Sequence, residues 1–360
     1  MKVLHLISTF GSGGAERQLS ILAPALAESG VECHIGYCSE GPNLQSLLES
    51  NVHLHQFRVA GNHDPKLFWQ IWSLIRTIKP DVIQTWLLQM DVVGGGAALL
   101  AGVPCILSER SSERNYPAGW KARLRIAIGK RAYCVVANSQ GGVEYWRNQS
   151  TELPINLVRN CIAVRGNECI SEISILRDKI KGLPTILFAG RFSHEKNVFV
   201  MIQALIETLD VIPTAIALVF GEGVYEADLR RSVEKAGLSE RIHFMGYSNE
   251  LSSWMTLANV CVSTSWFEGN PNVVLESAAS GCPLVISDIP AHREIFDENS
   301  VNFAKPDSPG EFASALVSKL HDNSSAKTKA ARAQNIVAGF SQEQIVASYL
   351  SIYKRIALRT

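Results

Sequence analysis

The sequence predicts an α/β protein of two successive domains, each built around a parallel β-sheet. Short apolar runs alternate with longer segments of helical periodicity, which is typical of consecutive β-α-β units. The alternation begins again near residue 185 after a break, and a length of 360 residues suits two domains. We therefore expect two Rossmann-like domains of similar size.

Strands and helices of the first half can be assigned in order. The predicted strands are Lys2–Ile7, Glu32–Tyr37, Val52–Phe57, Val82–Gln84, Cys105–Ser108 and Cys134–Ala137. Helices are predicted over Gly14–Ser29 and Pro65–Ile78, the second because its apolar residues recur every three or four positions. Its two tryptophans, Trp69 and Trp72, are expected to pack against the protein rather than contact a ligand.

The second half repeats this pattern. Its predicted strands are Thr185–Ala189, Ala215–Phe220, Ile242–Phe244, Val260–Ser263 and Pro283–Ser287. The stretch from Arg165 to Gly182 has weaker periodicity, and we interpret it as the connection between the domains, with room for a first helix of the second domain. Near the end of the chain, Ser341 and Gln344 resemble a capping box ahead of an apolar face, which predicts a last helix.

These assignments set the expected domain boundaries. The N-terminal domain is expected over residues 1–165 and the C-terminal domain over residues 166–340. A helix over residues 341–360 could lie across either domain, and we expect it to cross back onto the first.

Composition and charge exclude several classes of function. The 34 basic and 34 acidic residues give a formal net charge of zero, so no global charge favours nucleic acid as a partner. The N-terminal apolar run is short and leads into a glycine-rich turn, unlike a signal peptide. No segment reaches the roughly 18 apolar residues that span a membrane. The nearest, Val92–Leu107, is interrupted by glycines and Pro104. We expect a cytoplasmic protein, at most bound to a membrane surface.

The cysteines indicate neither a metal site nor disulfides. None belongs to a C-x-x-C pair or lies beside a histidine at zinc-ligand spacing, and several lie within apolar runs. We expect buried free thiols in a reducing compartment and no bound metal. The eight are Cys33, Cys38, Cys105, Cys134, Cys161, Cys169, Cys261 and Cys282.

The stretch Glu268–Glu276 predicts an anion site with carboxylates beside it. A strand ends near Thr264, a loop with glycine and asparagine follows, and Pro271 suits the first turn of a helix that continues to Ala279. The N-terminus of a helix attracts anions through free N–H groups and its dipole. Carboxylates accept hydrogen bonds from vicinal hydroxyls, so the two glutamates suit a sugar or a ribose. The alternative is a helix-capping Glu268 with a solvated Glu276.

A second loop, Gly190–Asn197, follows a predicted strand at the end where open α/β sheets place ligands. Arg191 and Lys196 supply two positive charges suited to a diphosphate. The alternative is a pair of solvated surface cations. A third loop, Gly11–Gln18, joins a strand to a helix and could cradle phosphate. Its glycines do not match G-x-G-x-x-G, and no P-loop lysine follows.

Taken together and in order, these stretches resemble retaining glycosyltransferase family 4. The resemblance covers nearly the whole chain. It rests on five stretches: the Gly11–Gln18 loop, Gly190-Arg191 with Lys196-Asn197, Gly221–Gly223, the Glu268 and Glu276 pair, and Ser280–Asp288. The resemblance implies the GT-B fold, in which two Rossmann-like domains face each other across a cleft and the C-terminal helix crosses back. It also implies transfer of a sugar from a nucleotide-diphosphate donor, expected to be a UDP-sugar, to a glycan or lipid-linked glycan.

The family also implies roles for individual residues. Arg191 and Lys196 would neutralise the donor diphosphate as the glycosidic bond breaks. Glu268 would hold hydroxyls of the transferred sugar, and Glu276 those of the ribose. Gly13 and Gly14 would allow a close approach to the phosphates. The other residues expected to bind the donor are Gly190, Glu222, Met245, Gly246, Asn270, Pro271, Asn272 and Val273.

Members of this family retain the anomeric configuration and need no metal, and this chain has no D-x-D motif. Front-face attack needs no enzyme nucleophile, in keeping with the lack of a clear Ser-His-Asp or Cys-His set. Three alternatives use the same architecture: a nucleotide-sugar epimerase, a glycan phosphorylase, and a non-catalytic nucleotide-sugar binder. A phosphorylase lacks a candidate lysine motif for pyridoxal phosphate, and a Rossmann dehydrogenase lacks correctly spaced glycines.

Glu109 departs from the family pattern, because many relatives carry a histidine after the strand that ends at Ser108. A subset that resembles lipid-linked oligosaccharide and polysaccharide assembly enzymes has a similar Ser-Glu-Arg stretch. Glu109 is therefore a candidate catalytic residue that orients an acceptor hydroxyl or the donor sugar. It could equally be a structural carboxylate paired with Arg110 or Arg114.

The segment Trp120–Arg131 predicts a basic amphipathic helix. Five cations accompany Trp120, Leu124 and Ile128, which recur every four residues. This pattern fits contact with an anionic membrane, in which case the acceptor would be a polyprenyl-diphosphate glycan. The alternative is a core-facing helix with a basic outer face.

Overall fold

The structure of the protein is a computed structural model. It describes residues 1–61, 64–110, 119–162, 180, 182–248 and 250–358. The chain forms two compact units: Met1–Cys161 together with the segment from Phe340 onward, and Ile162–Gly339. The predicted connection from Arg165 to Gly182, as well as Arg114 and Cys169, lie almost or entirely outside the described residues.

Unit 1, the one that contains the N-terminus, has a seven-stranded parallel sheet of order β3-β2-β1-β4-β5-β6-β7. Its strands are β1 (Lys2–Ile7), β2 (Glu32–Tyr37), β3 (His53–Gln56), β4 (Val82–Trp86), β5 (Cys105–Glu109), β6 (Cys134–Ala137) and β7 (Ile155–Leu157). Its helices before Cys161 are α1 (Gly14–Glu28), α2 (Gln45–Leu48), α3 (Lys66–Ile78), α4 (Leu87–Ala101), α5 (Trp120–Gly129) and α6 (Gln140–Gln149).

Unit 2 has a six-stranded parallel sheet of order β10-β9-β8-β11-β12-β13. Its strands are β8 (Thr185–Ala189), β9 (Ile216–Phe220), β10 (Ile242–Gly246), β11 (Val260–Ser263), β12 (Leu284–Ser287) and β13 (Asn302–Ala304). Its helices are α7 (Val198–Val211), α8 (Glu226–Lys235), α9 (Leu251–Leu257), α10 (Asn272–Ala279), α11 (Pro290–Arg293), α12 (Pro309–His321) and α13 (Asn323–Val337). The predicted fold class, two Rossmann-like α/β domains, is confirmed.

The last helix, α14 (Gln342–Ala357), belongs to unit 1. Ser341 caps it by accepting a hydrogen bond from the N–H of Gln344. Its apolar face is buried in the same core as strands β1 and β2. Polar contacts add to this packing: the Tyr353 hydroxyl donates to Gln84 at 2.5 Å, and Arg110 donates to the Tyr349 hydroxyl.

Helix α4 shows why glycine does not always break a helix. It runs without interruption through Gly94, Gly95 and Gly96, which the sequence pattern treats as an interruption. A methyl group at Gly94 would lie 2.6 Å from Leu6 Cδ1, and one at Gly95 would lie 2.8 Å from Ile128 Cγ2. The glycines therefore let the helix approach the sheet and helix α5 closely, which compensates for their low helix propensity.

The expectations for the two tryptophans of α3 and for the cysteines are met in part. Trp72 stacks on Phe68 and is half-buried, as expected. Trp69 packs its ring edge-to-face with Phe68, with centroids 5.5 Å apart, but is 67% exposed. The seven cysteines within the described ranges are free thiols, as expected, and burial raises the pKa of each. In the described part of the chain, no helix is long and apolar enough to cross a membrane.

Candidate donor site in unit 2

The site in unit 2 forms where the carboxyl ends of β8 and β11 lie side by side in the sheet. The loop after β8 carries Lys196, and the loop after β11 carries Glu268. The ammonium nitrogen of Lys196 lies 2.5 Å from Glu268 Oε1. Two residues that are 72 positions apart in the chain therefore form one ion pair, with the lysine side chain 24% exposed and the glutamate side chain 13% exposed.

The backbone holds these two loops together. Lys196 ends a single 3-10 turn, His194–Lys196, and the left-handed backbone of Asn197 (φ 51°) then starts helix α7. The buried Thr264 hydroxyl donates to the Lys196 carbonyl at 2.9 Å, and the Trp266 N–H donates to the Glu195 carbonyl at 2.9 Å. The backbone of Lys196 is thus held in place by contacts with the neighbouring loop.

Glu268 is ionised, and within the described part of the chain only one of its two carboxylate oxygens is engaged in hydrogen bonds. Its Oε1 accepts from Lys196 and, at 2.7 Å, from the Ser265 hydroxyl. Among the described residues, Oε2 has no hydrogen-bond partner. Burial acts to raise the pKa of Glu268, but the charge of Lys196 and the hydrogen bonds from Lys196 and Ser265 outweigh burial, so the pKa is below its ordinary value. The carboxylate can therefore accept a further hydrogen bond.

Helix α10 begins beside this pair. Its first residue is Asn272, which confirms the predicted helix. Pro271 is the N-cap, one position before the first turn in which the sequence predicts it. Asn270 and Glu276 are buried, while Asn272 and Val273 are half-buried. The first-turn N–H groups of a helix have no partner within the helix and attract an anion. A buried Glu276 disagrees with the alternative of a solvated carboxylate.

The other predicted residues of unit 2 lie on the same sheet edge. Arg191 is exposed, and its guanidinium pairs with Glu195 at 3.5 Å, so the structure does not join it to the Lys196–Glu268 pair. Gly221 must be glycine, because a methyl group there (φ 130°) would lie 1.9 Å from the Gly190 oxygen. The Gly221 N–H donates to the Gly246 carbonyl at 2.8 Å, which brings the end of β10 alongside. Met245 is half-buried here, and Glu222 is exposed.

The glycine-rich loop of unit 1 is held by a neighbouring loop. Gly13 is the N-cap of α1 and Gly14 its first residue. The buried Asn43 side chain donates to the Gly11 carbonyl at 2.5 Å, and the Phe10 N–H donates to the Ser39 carbonyl at 3.0 Å. Asn43 is a supporting residue that the sequence did not reveal, since a lone asparagine in a loop carries no distinctive pattern.

Glu109 is buried in unit 1. Its Oε2 accepts from Arg125 at 2.9 Å and from the Trp146 indole N–H at 3.0 Å. Arg125 also donates to Asp91 at 2.7 Å, and burial raises the pKa of that aspartate, opposed by the charge of Arg125. Glu109 thus pairs with Arg125, a partner that the sequence did not suggest. Arg110 instead donates hydrogen bonds to Asn160 and Tyr349.

Arg125, one of the five cations of the predicted basic amphipathic helix over Trp120–Arg131, does not lie on the outer face of that helix. Arg125 is buried and neutralises carboxylates inside unit 1, and Ile128 is buried as well. Trp120 is 66% exposed and Leu124 is also exposed, with Arg123 exposed beside them. Helix α5 therefore combines a core-facing side with an outer surface that is apolar and basic.

Two family models match the chain, one for each unit. The model described as Glycosyltransferase Family 4 matches residues 12–164. The model described as Glycosyl transferases group 1 matches residues 183–322. The matched ranges hold the glycine-rich loop and the Lys196–Glu268 pair, respectively.

Relatives match along the whole chain. The lipopolysaccharide core biosynthesis glycosyltransferase LpsE of Rhizobium meliloti is 27% identical over 98% of each chain. A Campylobacter jejuni N-acetylgalactosaminyltransferase, named for a diphospho-undecaprenol substrate, is 23% identical over 96% of this chain and 97% of its own. HepE of Anabaena, solved with UDP-glucose, has a TM-score of 0.86 at 21% identity, over 99% of this chain and 100% of its own.

The matched domains and the shared architecture define a glycosyltransferase with the GT-B fold. The chain belongs to glycosyltransferase family 4, as the motifs in its sequence predict.

Proposed function

We propose that the protein is a retaining glycosyltransferase that moves a sugar from a UDP-sugar to a polysaccharide or lipid-linked glycan acceptor, without a metal. The observation that carries this proposal is the Lys196–Glu268 pair, in which an ammonium group adjoins a carboxylate with an open Oε2. The pair lies beside the N-terminus of α10, so positive charge and a hydroxyl acceptor occur at one place.

This arrangement suits the chemistry of glycosyl transfer. The departing nucleoside diphosphate carries the negative charge that develops as the glycosidic bond breaks. Lys196 uses one N–H on Glu268 and keeps two for phosphate oxygens. The first-turn N–H groups of α10 add positive potential. Arg191, which is exposed on the same loop as Lys196, would leave Glu195 and turn towards the phosphates. Lys196 thus supplies the charge stabilisation that we assign to the protein rather than to a metal.

Glu268 Oε2 would then accept a hydrogen bond from a hydroxyl of the transferred sugar. Glu276, Gly190, Glu222, Met245, Gly246 and Asn270–Val273 remain predicted donor contacts, supported by their positions on one sheet edge. We further propose that Glu109 acts as structural support, because Arg125 and Trp146 already occupy its Oε2.

The acceptor proposal rests on relatives and on helix α5. An Escherichia coli relative, 24% identical over 63% of this chain and 62% of its own, is named as a UDP-Gal transferase onto a GlcNAc-diphosphoundecaprenol. The exposed Trp120 and Leu124 beside Arg123 would bind a cytoplasmic membrane face with anionic lipid, where such an acceptor is anchored.

A donor and acceptor panel tests the function. The protein is incubated with UDP- and GDP-sugars, with and without diphospho-undecaprenol-linked acceptors, in the presence of EDTA. Release of UDP that requires an acceptor, with an α-linked product by NMR from an α-linked donor, is the expected result. Sugar isomers without nucleotide release would indicate an epimerase. Tight binding with neither outcome would indicate a non-catalytic binder.

A further inference from the structure

A chain of hydrogen bonds runs from the end of β12 to Glu268. The His292 ring nitrogen Nδ1 lies 2.7 Å from the Ser287 carbonyl oxygen. The Ser287 hydroxyl donates to the Ser265 carbonyl at 2.7 Å, and the Ser265 hydroxyl donates to Glu268 Oε1 at 2.7 Å. We call Ser265, Ser287 and His292 the serine–histidine chain. All three side chains are buried. Ser287 belongs to the Ser280–Asp288 stretch of the family resemblance, but the sequence predicted no role for any of the three.

The chemistry of these contacts fixes the proton on His292. A carbonyl oxygen only accepts hydrogen bonds, so Nδ1 must carry the hydrogen that it shares with Ser287. Burial lowers the pKa of His292 and outweighs the opposing effects of the Ser287 carbonyl and of Glu268, so the ring is neutral at neutral pH. Its Nε2 is then a buried acceptor with no partner in the described residues.

Glu268 needs this support because Lys196 both pairs with Glu268 and is assigned to the donor diphosphate. Lys196 and Ser265 both donate to Oε1, which leaves Oε2 open. When the other two N–H groups of Lys196 bind a diphosphate, the lysine charge is shared and its hold on Glu268 weakens. Ser265 would keep the carboxylate in place at that moment, and Ser287 with His292 would keep the Ser265 backbone in place.

We propose that His292 and Ser265 are positioning residues that hold Glu268 for recognition of the donor sugar, with His292 acting through its Nδ1–H on Ser287. This inference rests on the proposed function, in which Glu268 binds a hydroxyl of that sugar. It predicts an effect on the sugar part of the donor and none on the nucleoside diphosphate.

The test compares the affinities of UDP and of the tightest-binding UDP-sugar for the wild type and five variants by isothermal titration calorimetry. Ser265→Ala removes a hydrogen bond to a charged group, so it should weaken UDP-sugar binding about tenfold while UDP binding is unchanged. His292→Gln cannot place a donor at Nδ1 and should weaken UDP-sugar binding selectively as well. His292→Asn can place its amide N–H there and should bind like the wild type.

A matched control is Ser300→Ala. The Ser300 hydroxyl is buried and donates to the Asp297 carboxylate at 2.7 Å, like Ser265 to Glu268, but in a turn after α11. It should change neither affinity. The double variant Ser265→Ala/His292→Gln should be no weaker than Ser265→Ala alone, because residues that act through one chain are not additive.

Each other outcome overturns the inference. If a variant loses UDP affinity and UDP-sugar affinity equally and has a lowered Tm, the serine–histidine chain only stabilises the fold. Full binding by His292→Gln with loss in His292→Asn would assign the contact to Nε2 instead. If the wild type binds both ligands and the ratio of UDP-sugar affinity to UDP affinity is the same in all variants, the inference is wrong and the proposed function still holds. Wild-type protein that binds neither ligand would remove both.

Discussion

At the scale of single residues, the Lys196–Glu268 contact combines partial burial with solvent access. A fully exposed pair of this kind contributes little to stability, and a fully buried one would be closed to a ligand. With side-chain exposures of 24% and 13%, the pair is only partly screened by water and still accessible. The sequence predicted both residues, because each belongs to a recognisable loop motif. It could not predict that they touch, since no local pattern links residues 72 positions apart.

Lys196→Ala should abolish most turnover while unit 2 remains folded. The variant loses the ammonium group assigned to the diphosphate, and a transition-state charge contact of this type contributes about a hundredfold or more to rate. Glu268 keeps its Ser265 hydrogen bond, so the loss of stability should be only about 1–3 kcal/mol. UDP release measures the first effect and urea unfolding the second. The control is Lys305→Ala, an exposed lysine paired with Glu311 at 3.3 Å, and near-normal turnover by Lys196→Ala would refute the diphosphate role.

His5 should make stability depend on pH. It is fully buried in β1, where burial and then the charge of Arg110 lower its pKa to about 3. Below its unfolded-state pKa of about 6.5, the unfolded chain takes up a proton that the folded chain cannot. This contribution to stability is therefore fully present above about pH 6.5 and falls as the pH drops towards 3, by up to about 1.4 kcal/mol per pH unit.

His5→Asn removes this titration and keeps an acceptor for the Trp86 indole N–H, which lies 3.3 Å from His5 Nδ1. Between pH 7 and pH 5 the wild type should lose about 2 kcal/mol more unfolding free energy than the variant. Urea unfolding at the two pH values measures the difference, and contributions from all other groups cancel. His321→Asn, at an exposed position, should behave like the wild type. Equal losses in wild type and His5→Asn would show that His5 takes up its proton in the folded state.

At the scale of elements, the sequence predicted most strands well but missed two short strands at the sheet edges. β1, β2, β6, β8 and β11 have the predicted bounds, because their apolar runs are buried on both faces. β7 and β13 were not predicted: each is three residues long and lies at a sheet edge. An edge strand takes its hydrogen bonds from one neighbour and needs no apolar run, so it leaves little trace in the sequence.

Replacing Gly94 or Gly96 of α4 by alanine should change the stability of unit 1 in opposite directions. Gly94→Ala should destabilise unit 1, because its methyl group would lie 2.6 Å from the buried Leu6 side chain. Gly96→Ala should stabilise it by about 0.5–1 kcal/mol, since alanine is the better helix former. Its methyl group would meet Ile128 Cδ1 at an ordinary 3.9 Å. Chemical unfolding of both variants measures the two effects, and stabilisation by Gly94→Ala would contradict the proposed close packing.

Helix α5 should bind anionic vesicles through its outer surface. Trp120→Ser/Leu124→Ser should reduce co-sedimentation with phosphatidylglycerol vesicles, because burial of these side chains in lipid would contribute about 1.5–3 kcal/mol each. Trp69→Ser is a matched control, since Trp69 is 67% exposed and Trp120 66%. No binding by the wild type, even at low salt, would refute membrane contact. Equal losses from both changes would indicate non-specific adsorption.

At the scale of the whole molecule, unit 1 is assembled from two separate parts of the chain. The sequence predicted the restart of the α/β pattern and a last helix with an apolar face. The amphipathic face by itself left open which domain that helix would cover, because it specifies burial but not a partner. Only the family resemblance implied that the helix crosses back onto the first domain. The contacts that answer this question, such as Tyr353 with Gln84, join residues 269 positions apart. The supporting residues Asn43 and His292 were missed for a similar reason.

The fragment 1–161 should therefore not form a stable unit by itself. Helix α14 buries Ile345, Val346, Tyr349, Ile352, Tyr353 and Ile356. At about 1.5–3 kcal/mol for each buried side chain, their loss is comparable to the whole stability of a domain, about 5–15 kcal/mol. Joining residues 340–358 to residue 161 through a flexible linker should restore cooperative unfolding. Near-UV circular dichroism and urea unfolding test both forms, and a cooperatively folded 1–161 fragment would contradict this account.

The divided construction of unit 1 also has a consequence for biosynthesis. Residues 162–339 leave the ribosome before α14 does, so the later domain has all of its residues while the earlier one still lacks a helix. At about 5–20 residues per second, unit 1 waits on the order of ten to forty seconds with apolar surface uncovered. During translation the usual order of domain maturation is thus reversed, and the unfinished first domain is the stage at which a chaperone has the most surface to protect.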